Sequence, residues 1–246
     1  MKWDTRKITG LAMVAAISYA AMFAGFRFMA AAPYLKYEPK DVIITIGGFI
    51  FGPLEAVMAA FVVAFMEMVT VSESGIIGFL MNFLAAASYA GVASLIYRKI
   101  RTAKGALSGL LFGSLSLTAV MLLWNYIITP IYTEIPREDV AKMLLPVFLP
   151  FNLIKAGLNS AFILLIYKPL TTALRKARLL PAAQGAGAAE RGAAPQGVAP
   201  QGVAPEGAGA ERGKGAPFKV NLPMLLCAAL LLLVACAAAI YFTTGK

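Results

Sequence analysis

From Val42 to Val71 the chain reads VIITIGGFIFGPLEAVMAAFVVAFMEMVTV, a continuous apolar stretch punctuated by Gly47, Gly48, Gly52 and Pro53. A membrane helix needs about 20 apolar residues, so this stretch exceeds one span, and Gly-Pro is where a helix is expected to end. It therefore divides into a short helix over 41–52 and a full span over 54–72, joined by a tight turn. The first of these is too short to cross a bilayer alone. The same reading applied outward places further spans at 8–30, 76–98, 106–130, 147–168 and 221–243.

Composition agrees with that reading. Of the 246 residues, 60% are hydrophobic and 14% charged, and the mean hydropathy is +0.76. These values exclude an ordinary soluble domain. Barrel strands would alternate over about ten residues, whereas these runs are about twice that length, so the expected class is an all-α membrane protein. Lys2, Arg6 and Lys7 precede the first run as they would in a signal peptide. That run is longer than a signal core and further spans follow, so it is taken as a retained first helix.

Basic residues cluster at Lys2, Arg6, Lys7, at Arg98, Lys99, Arg101, Lys104 and at Lys168, Arg175, Lys176, Arg178. Each cluster follows an even number of crossings, which puts all three and the N-terminus on the cytoplasmic side of a cell membrane. The net charge of +10 is thereby assigned to membrane orientation and anionic lipid, not to nucleic acid. The loops 33–40 and 133–146 then lie outside, the side from which a ligand arrives. The chain has no histidine. Cys227 and Cys236 are nine residues apart, roughly on opposite sides of one helix, so neither a metal site nor an internal disulfide is expected.

Three regions follow: a six-helix membrane domain over 1–180, an Ala/Gly/Pro-rich flexible linker over 181–217, and an accessory C-terminal transmembrane helix within 218–246. The linker repeats Ala-Pro-Gln-Gly-Val from Ala194 and from Ala199, a composition that cannot bury enough apolar surface to fold.

Candidate chemistry lies in the sixth span, where Phe151-Asn152-Leu153-Ile154-Lys155-Ala156-Gly157-Leu158-Asn159 places Asn152, Lys155 and Asn159 on one helical face. An ammonium in hydrocarbon costs about 3 kcal/mol or more, so such a face is expected to line a polar cavity. The alternatives are an interhelical hydrogen-bond cluster or a lysine snorkelling to the interface. Asn125, within Trp124-Asn125-Tyr126 on the preceding span, adds an amide that can donate and accept at the edge of a heterocycle. An interfacial aromatic belt explains Trp124 and Tyr132 equally well. Glu67 and Asn82 sit inside the third and fourth spans and must face inward or find partners; a Glu67–Lys155 pair is one such arrangement. Ala12, Ala16, Ala20 and Ala24 form a smooth stripe on the first helix, suited to close helix packing within the bundle or against another protein. The nearest imitation of a phosphate-binding loop, Gly207 to Gly213-Lys214-Gly215, has the wrong spacing and no following Ser or Thr, so ATP-driven work must come from another subunit.

Six helices with a short second one, the alanine stripe, the run Leu35-Lys36-Tyr37-Glu38-Pro39-Lys40-Asp41 leading into Gly47-Gly48-Phe49-Ile50-Phe51-Gly52-Pro53, and Phe151-Asn152-Leu153-Ile154-Lys155 together resemble the substrate-binding S components of energy-coupling factor (ECF) transporters, in particular their riboflavin-specific kind. The resemblance covers roughly residues 5–178. It implies a non-enzymatic subunit that captures riboflavin at the outer face and delivers it by toppling, docked to a transmembrane coupling protein and two cytoplasmic ATPases. It further implies that Asn125, Asn152 and Lys155 hydrogen-bond the flavin, that the loop around Tyr37 and Asp41 covers it, and that Ala12, Ala16 and Ala20 contact the coupling protein. Riboflavin is then cargo, and no cofactor is implied. The tail from Pro181 departs from the family pattern. Competing readings are an S component for another vitamin, an intramembrane enzyme using Glu67 with Lys155, and a purely structural membrane protein.

Overall fold

A computed structural model describes residues 5–29, 35–72 and 74–176. The linker at 181–217, the accessory helix at 221–243, Cys227 and Cys236 lie outside the described residues, as do Lys2 and Arg178. All regular structure among the described residues is helical: α1 (Thr5–Met22), α2 (Lys40–Phe51), α3 (Pro53–Thr70), α4 (Gly75–Lys99), α5 (Ala103–Thr133), α6 (Arg137–Met143), a π-helical turn (Leu144–Phe148) and α7 (Leu149–Lys176). Among the described residues, four helical stretches are long and apolar enough to cross a membrane: Pro53–Thr70, Gly75–Lys99, Ala103–Ile131 and Arg137–Tyr167.

The division of the Val42–Val71 stretch falls where glycine and proline place it. Gly52 separates α2 from α3 with φ 131°, a conformation in which a Cβ would be strained, and Pro53 follows at the first helical position, where its missing N–H leaves no orphan. The Gly52 N–H donates to the Gly48 carbonyl at 2.9 Å, closing α2. Gly48 is needed for a different reason. A Cβ there would lie 2.1 Å from Ser94 Oγ and 2.7 Å from the Ala56 Cβ, so only glycine lets α2 pass this close to α3 and α4.

Two expected boundaries are corrected. The first helix was expected to run to residue 30, but α1 ends at Met22. There the chain turns, with the Gly25 N–H donating to the Met22 carbonyl at 3.0 Å. It then pairs back on itself: Phe26 and Tyr37 exchange backbone hydrogen bonds at 3.0 and 2.9 Å. Phe28 and Met29, whose hydrophobicity extends the apparent span, are buried with Leu35, Tyr37, Phe148 and Phe151 in a cluster that caps one end of the bundle. The segment 133–146 was expected to be an outside loop, yet helix resumes at Arg137, with Glu138 and Asp139 in its first turn, where carboxylates favour the helix dipole. The π-helical turn accommodates Pro146, which has no N–H to donate, without breaking the rod into α7.

The rest of the core divides between helix interfaces. Ala56, Ala59, Ala60 and Ala64 of α3 are buried, the first three packing with Ala86 and Ala90 of α4 in a small-residue contact suited to apolar surroundings. Val42 of α2, Tyr89 of α4, Leu117 of α5 and Ile163 of α7 form the other centre. Ala12, Ala16 and Ala20 are all exposed, whereas Ala15 and Ser18 on the same helix are buried. The stripe therefore points away from its own bundle, with Met13 and Ile17 exposed beside it.

Candidate ligand-binding cavity

The α1–α2 loop, the turn between α3 and α4, and the cavity-end halves of α5 and α7 enclose a cavity of about 280 Å³. Its apolar walls include Met22, Met81, Met121 and Phe151, and its polar and charged groups include Arg27, Lys36, Glu38, Glu67, Asn82, Asn125, Asn152 and Lys155. Apolar walls and convergent polar groups together are the usual make-up of a small-molecule site, and this one is richer in charge than most.

Asn125 and Asn152 are held by their own helices. Asn125 donates from Nδ2 to the Met121 carbonyl at 2.7 Å, and its Oδ1 accepts from Thr129 Oγ1 at 3.0 Å. Asn152 donates to the Phe148 carbonyl at 2.8 Å. Because a carbonyl can only accept, these bonds fix which end of each amide is nitrogen. Each Nδ2 keeps a second N–H, and the Asn152 oxygen keeps its acceptor capacity, so two oriented amides from α5 and α7 remain available to the cavity.

The charges pair in two sets that lie close enough to act on one another. Lys155 Nζ lies 3.2 Å from Asp41 Oδ2, both side chains being buried. Lys40, only 2% exposed, ion-pairs with both Glu38 and Glu67. Lys36 stands 3.2 Å from Glu38, and Asn82 Nδ2 donates to Glu67 Oε1 at 2.8 Å. Burial alone would raise the Glu38 carboxyl; the ammoniums of Lys40, Lys155 and Lys36 outweigh it and hold the group below the ordinary glutamate value. Burial, aided by the charge of Asp41, raises the Tyr37 hydroxyl, which therefore stays protonated.

The structure brings Asn82, Asn125, Asn152, Lys155 and Glu67 to the cavity wall. Tyr37, Asp41 and Asn159 are buried behind that wall, not in it. Asn159 is fully buried and neither its Nδ2 nor its Oδ1 has a hydrogen-bond partner. The Glu67–Lys155 pair does not form. Glu67 is taken by Lys40 and Asn82, and Lys155 by Asp41, because Lys40 and Asp41 open α2 and point about 100° apart around its axis. Trp124 lines a second cavity of about 50 Å³ between α4 and α5 that shares Met81 and Asn125 with the first. Tyr126 is exposed, with the Arg137 guanidinium 5.6 Å from its ring centroid.

Arg27, Lys36 and Glu38 on the wall, and Lys40 behind it, are charged residues of the candidate site that were not singled out from the sequence. The available signal for Lys36, Glu38 and Lys40 was their position at the start of a helix too short to span, which tucks that segment against the bundle's end.

The family model described as ECF transporter, substrate-specific component, matches residues 6–167. Riboflavin transporter RibU of Staphylococcus aureus (strain TCH60) is 30% identical over 182 residues, covering 72% of this chain and 95% of that protein. Riboflavin transporter RibU of Streptococcus thermophilus is 28% identical, covering 70% and 86%, and riboflavin transporter FmnP of Bacillus subtilis (strain 168) is 26% identical, covering 70% and 96%. A solved S component of a bacterial ECF transporter superposes with a TM-score of 0.60 at 28% identity, over 69% of this chain and 98% of the other.

Proposed function

The chain belongs to the ECF transporter substrate-specific component family, and from that premise we propose that it is a riboflavin-binding subunit of an ATP-powered importer. The observation that carries the reading is the convergence of Asn125, Asn152 and Lys155, from two helices, on one cavity with methionine and phenylalanine walls. Two amides and an ammonium offer donors and acceptors to the imide and carbonyl edge of a flavin, and the apolar walls suit its fused rings. The relatives named as riboflavin transporters support the same cargo.

The cavity end faces the cell exterior and the N-terminus the cytoplasm of a prokaryotic cell. In support, Arg98, Lys99, Arg101 and Lys104 are exposed at the opposite end of the bundle, as the positive-inside rule requires of a cytoplasmic turn. The exposed Ala12, Ala16 and Ala20 offer a close-approach surface to a transmembrane coupling protein, through which two ATPase subunits drive delivery. The subunit binds and releases its cargo and is not an enzyme. The six-helix domain, the linker at 181–217 and an added helix within 218–246 complete the proposed organisation.

The test is direct. Protein purified in detergent is titrated with riboflavin while the flavin fluorescence is followed; quenching that saturates at one flavin per chain is expected, and Asn152→Ala or Lys155→Ala should weaken it. A folded protein with no flavin affinity would sink the reading.

A further inference from the structure

Glu38 and Glu67 both line the cavity, whereas Lys40, which is ion-paired to each of them, does not. From this geometry we infer that Lys40 is a specificity-determining residue: it neutralises two carboxylates from behind the wall and so suits the site to a neutral heterocycle and not to a cationic one. The inference rests on the ligand-binding reading above and deepens it by naming the charge class admitted and the residue that sets it.

The two carboxylates share the cavity wall with three cations, Arg27, Lys36 and Lys155. They come from different elements, Glu38 from the α1–α2 loop and Glu67 from α3, and a bare pair of them would draw an organic cation. In the structure each is answered. Lys40 bridges both, Lys36 lies 3.2 Å from Glu38, and Lys155 lies 3.2 Å from Asp41. Lys36, Lys40 and Lys155 thus stand against Glu38, Asp41 and Glu67, three charges of each sign, and the exposed Arg27 on the same wall adds a further positive charge, so no net negative charge is left to hold a cation.

No neighbour can take over from Lys40. The Lys36 side chain is 34% exposed and already engaged with Glu38. Lys155 is paired with Asp41 and acts on Glu38 only as a more distant charge, and Arg27 is exposed. Without Lys40, the remaining hydrogen-bond partner of Glu67 is the neutral amide of Asn82. Salt in solution would not replace it, because ion pairs this buried are poorly screened. Buried ion pairs contribute little net stability compared with apolar packing, which leaves discrimination between ligands as the function this one serves.

A purely structural role for Lys40 would change affinity for all ligands together. A specificity role moves affinity ratios, and moves them in opposite directions when opposite charges are removed. The full chain, purified in detergent, is therefore titrated with riboflavin as the neutral probe, thiamine as a cationic heterocycle and flavin mononucleotide as an anionic one. Lys40→Met should raise the thiamine-to-riboflavin affinity ratio by about tenfold or more, the factor that about 1.4 kcal/mol produces. Glu67→Gln, which leaves Lys40 in excess, should raise the flavin mononucleotide-to-riboflavin ratio and leave thiamine unfavoured. The double variant Lys40→Met/Glu67→Gln should return both ratios towards the parent's.

Parental ratios in the single variants, or shifts in the same direction in both, overturn the inference. If Lys40→Met does not fold, Glu67→Gln and the double variant decide by the same ratios, and collapse of all three makes the cluster structural and overturns it too. A parent that binds no riboflavin removes the ligand reading and this inference with it. A parent that binds riboflavin while its variants keep parental ratios removes the inference alone.

Discussion

Lys40 and Asp41 are adjacent in the chain, yet they answer charges on different helices: Lys40 pairs with Glu67 of α3, and Asp41 with Lys155 of α7. Successive residues on a helix diverge by about 100°, so the first turn of α2 reaches both neighbours at once. The short second helix is thereby tied to the bundle by two buried ion pairs on different helices.

Asp41 neutralises a buried ammonium, and removing one partner of such a pair leaves the other uncompensated. Asp41→Ala should destabilise the protein by about 3–5 kcal/mol, seen as a large fall in thermal midpoint in detergent. The double variant Asp41→Ala/Lys155→Met, with no stranded charge, should unfold at a higher temperature than Asp41→Ala. Equal midpoints would mean that the pair is not coupled.

The two amides should matter unequally for binding. Asn152 is anchored only through Nδ2 to its own helix, whereas both ends of Asn125 are engaged, by Met121 and Thr129. Asn152→Ala is expected to weaken riboflavin by about tenfold or more, as loss of a ligand hydrogen bond worth about 1.5 kcal/mol would do. Thr129→Val, which only releases the Asn125 oxygen, should have a smaller effect. Fluorescence titration gives both, and a larger loss in Thr129→Val would reverse the ranking.

Gly48 and Gly157 make a matched pair of substitutions. Gly48→Ala drives a methyl into Ser94 and Ala56 and should cost about 1–3 kcal/mol. Nothing lies within 4 Å of a Cβ at Gly157, so Gly157→Ala inside α7 should be neutral or stabilising by up to about 1 kcal/mol. Thermal unfolding of both proteins in the same detergent tests the contrast, which fails if Gly48→Ala is tolerated as well as Gly157→Ala.

The Glu38 carboxyl is held below the ordinary glutamate value, against its own burial, by Lys40, Lys155 and Lys36. Its folded pKa lies below its unfolded one, so its contribution to stability is fully present above the unfolded value. It is lost as the pH falls through the folded one. The stability gap between the parent and Glu38→Gln should be constant from neutral pH down to the ordinary glutamate range and shrink below it. A gap that grows on acidification would reverse the sign of the proposed linkage.

Part of the cavity wall was legible because polar residues in apolar spans are few and conspicuous. Asn125, Asn152 and Lys155 stand out for that reason, and helical spacing puts the latter two on one face. Spacing along a helix carries no depth, however. Asn159 shares the face but is buried below the cavity, and Tyr37 and Asp41 lie behind the wall while Leu35, Lys36 and Glu38 of the same segment line it.

Hydrophobicity by itself determined the class of the protein, because helices in a bilayer must be long, apolar and internally hydrogen-bonded. Gly52 and Pro53 likewise determined the break between α2 and α3, since their constraints are local. Only the tertiary structure decided that α1 stops at Met22, where the Phe26–Tyr37 pairing satisfies the backbone across residues far apart in sequence. Only the tertiary structure, too, assigned the ion pairs. Charge attraction has no preference among several lysines and carboxylates, and the choice of Lys40 for Glu67 and Asp41 for Lys155 follows from where the first turn of α2 sits, against α3 on one side and α7 on another.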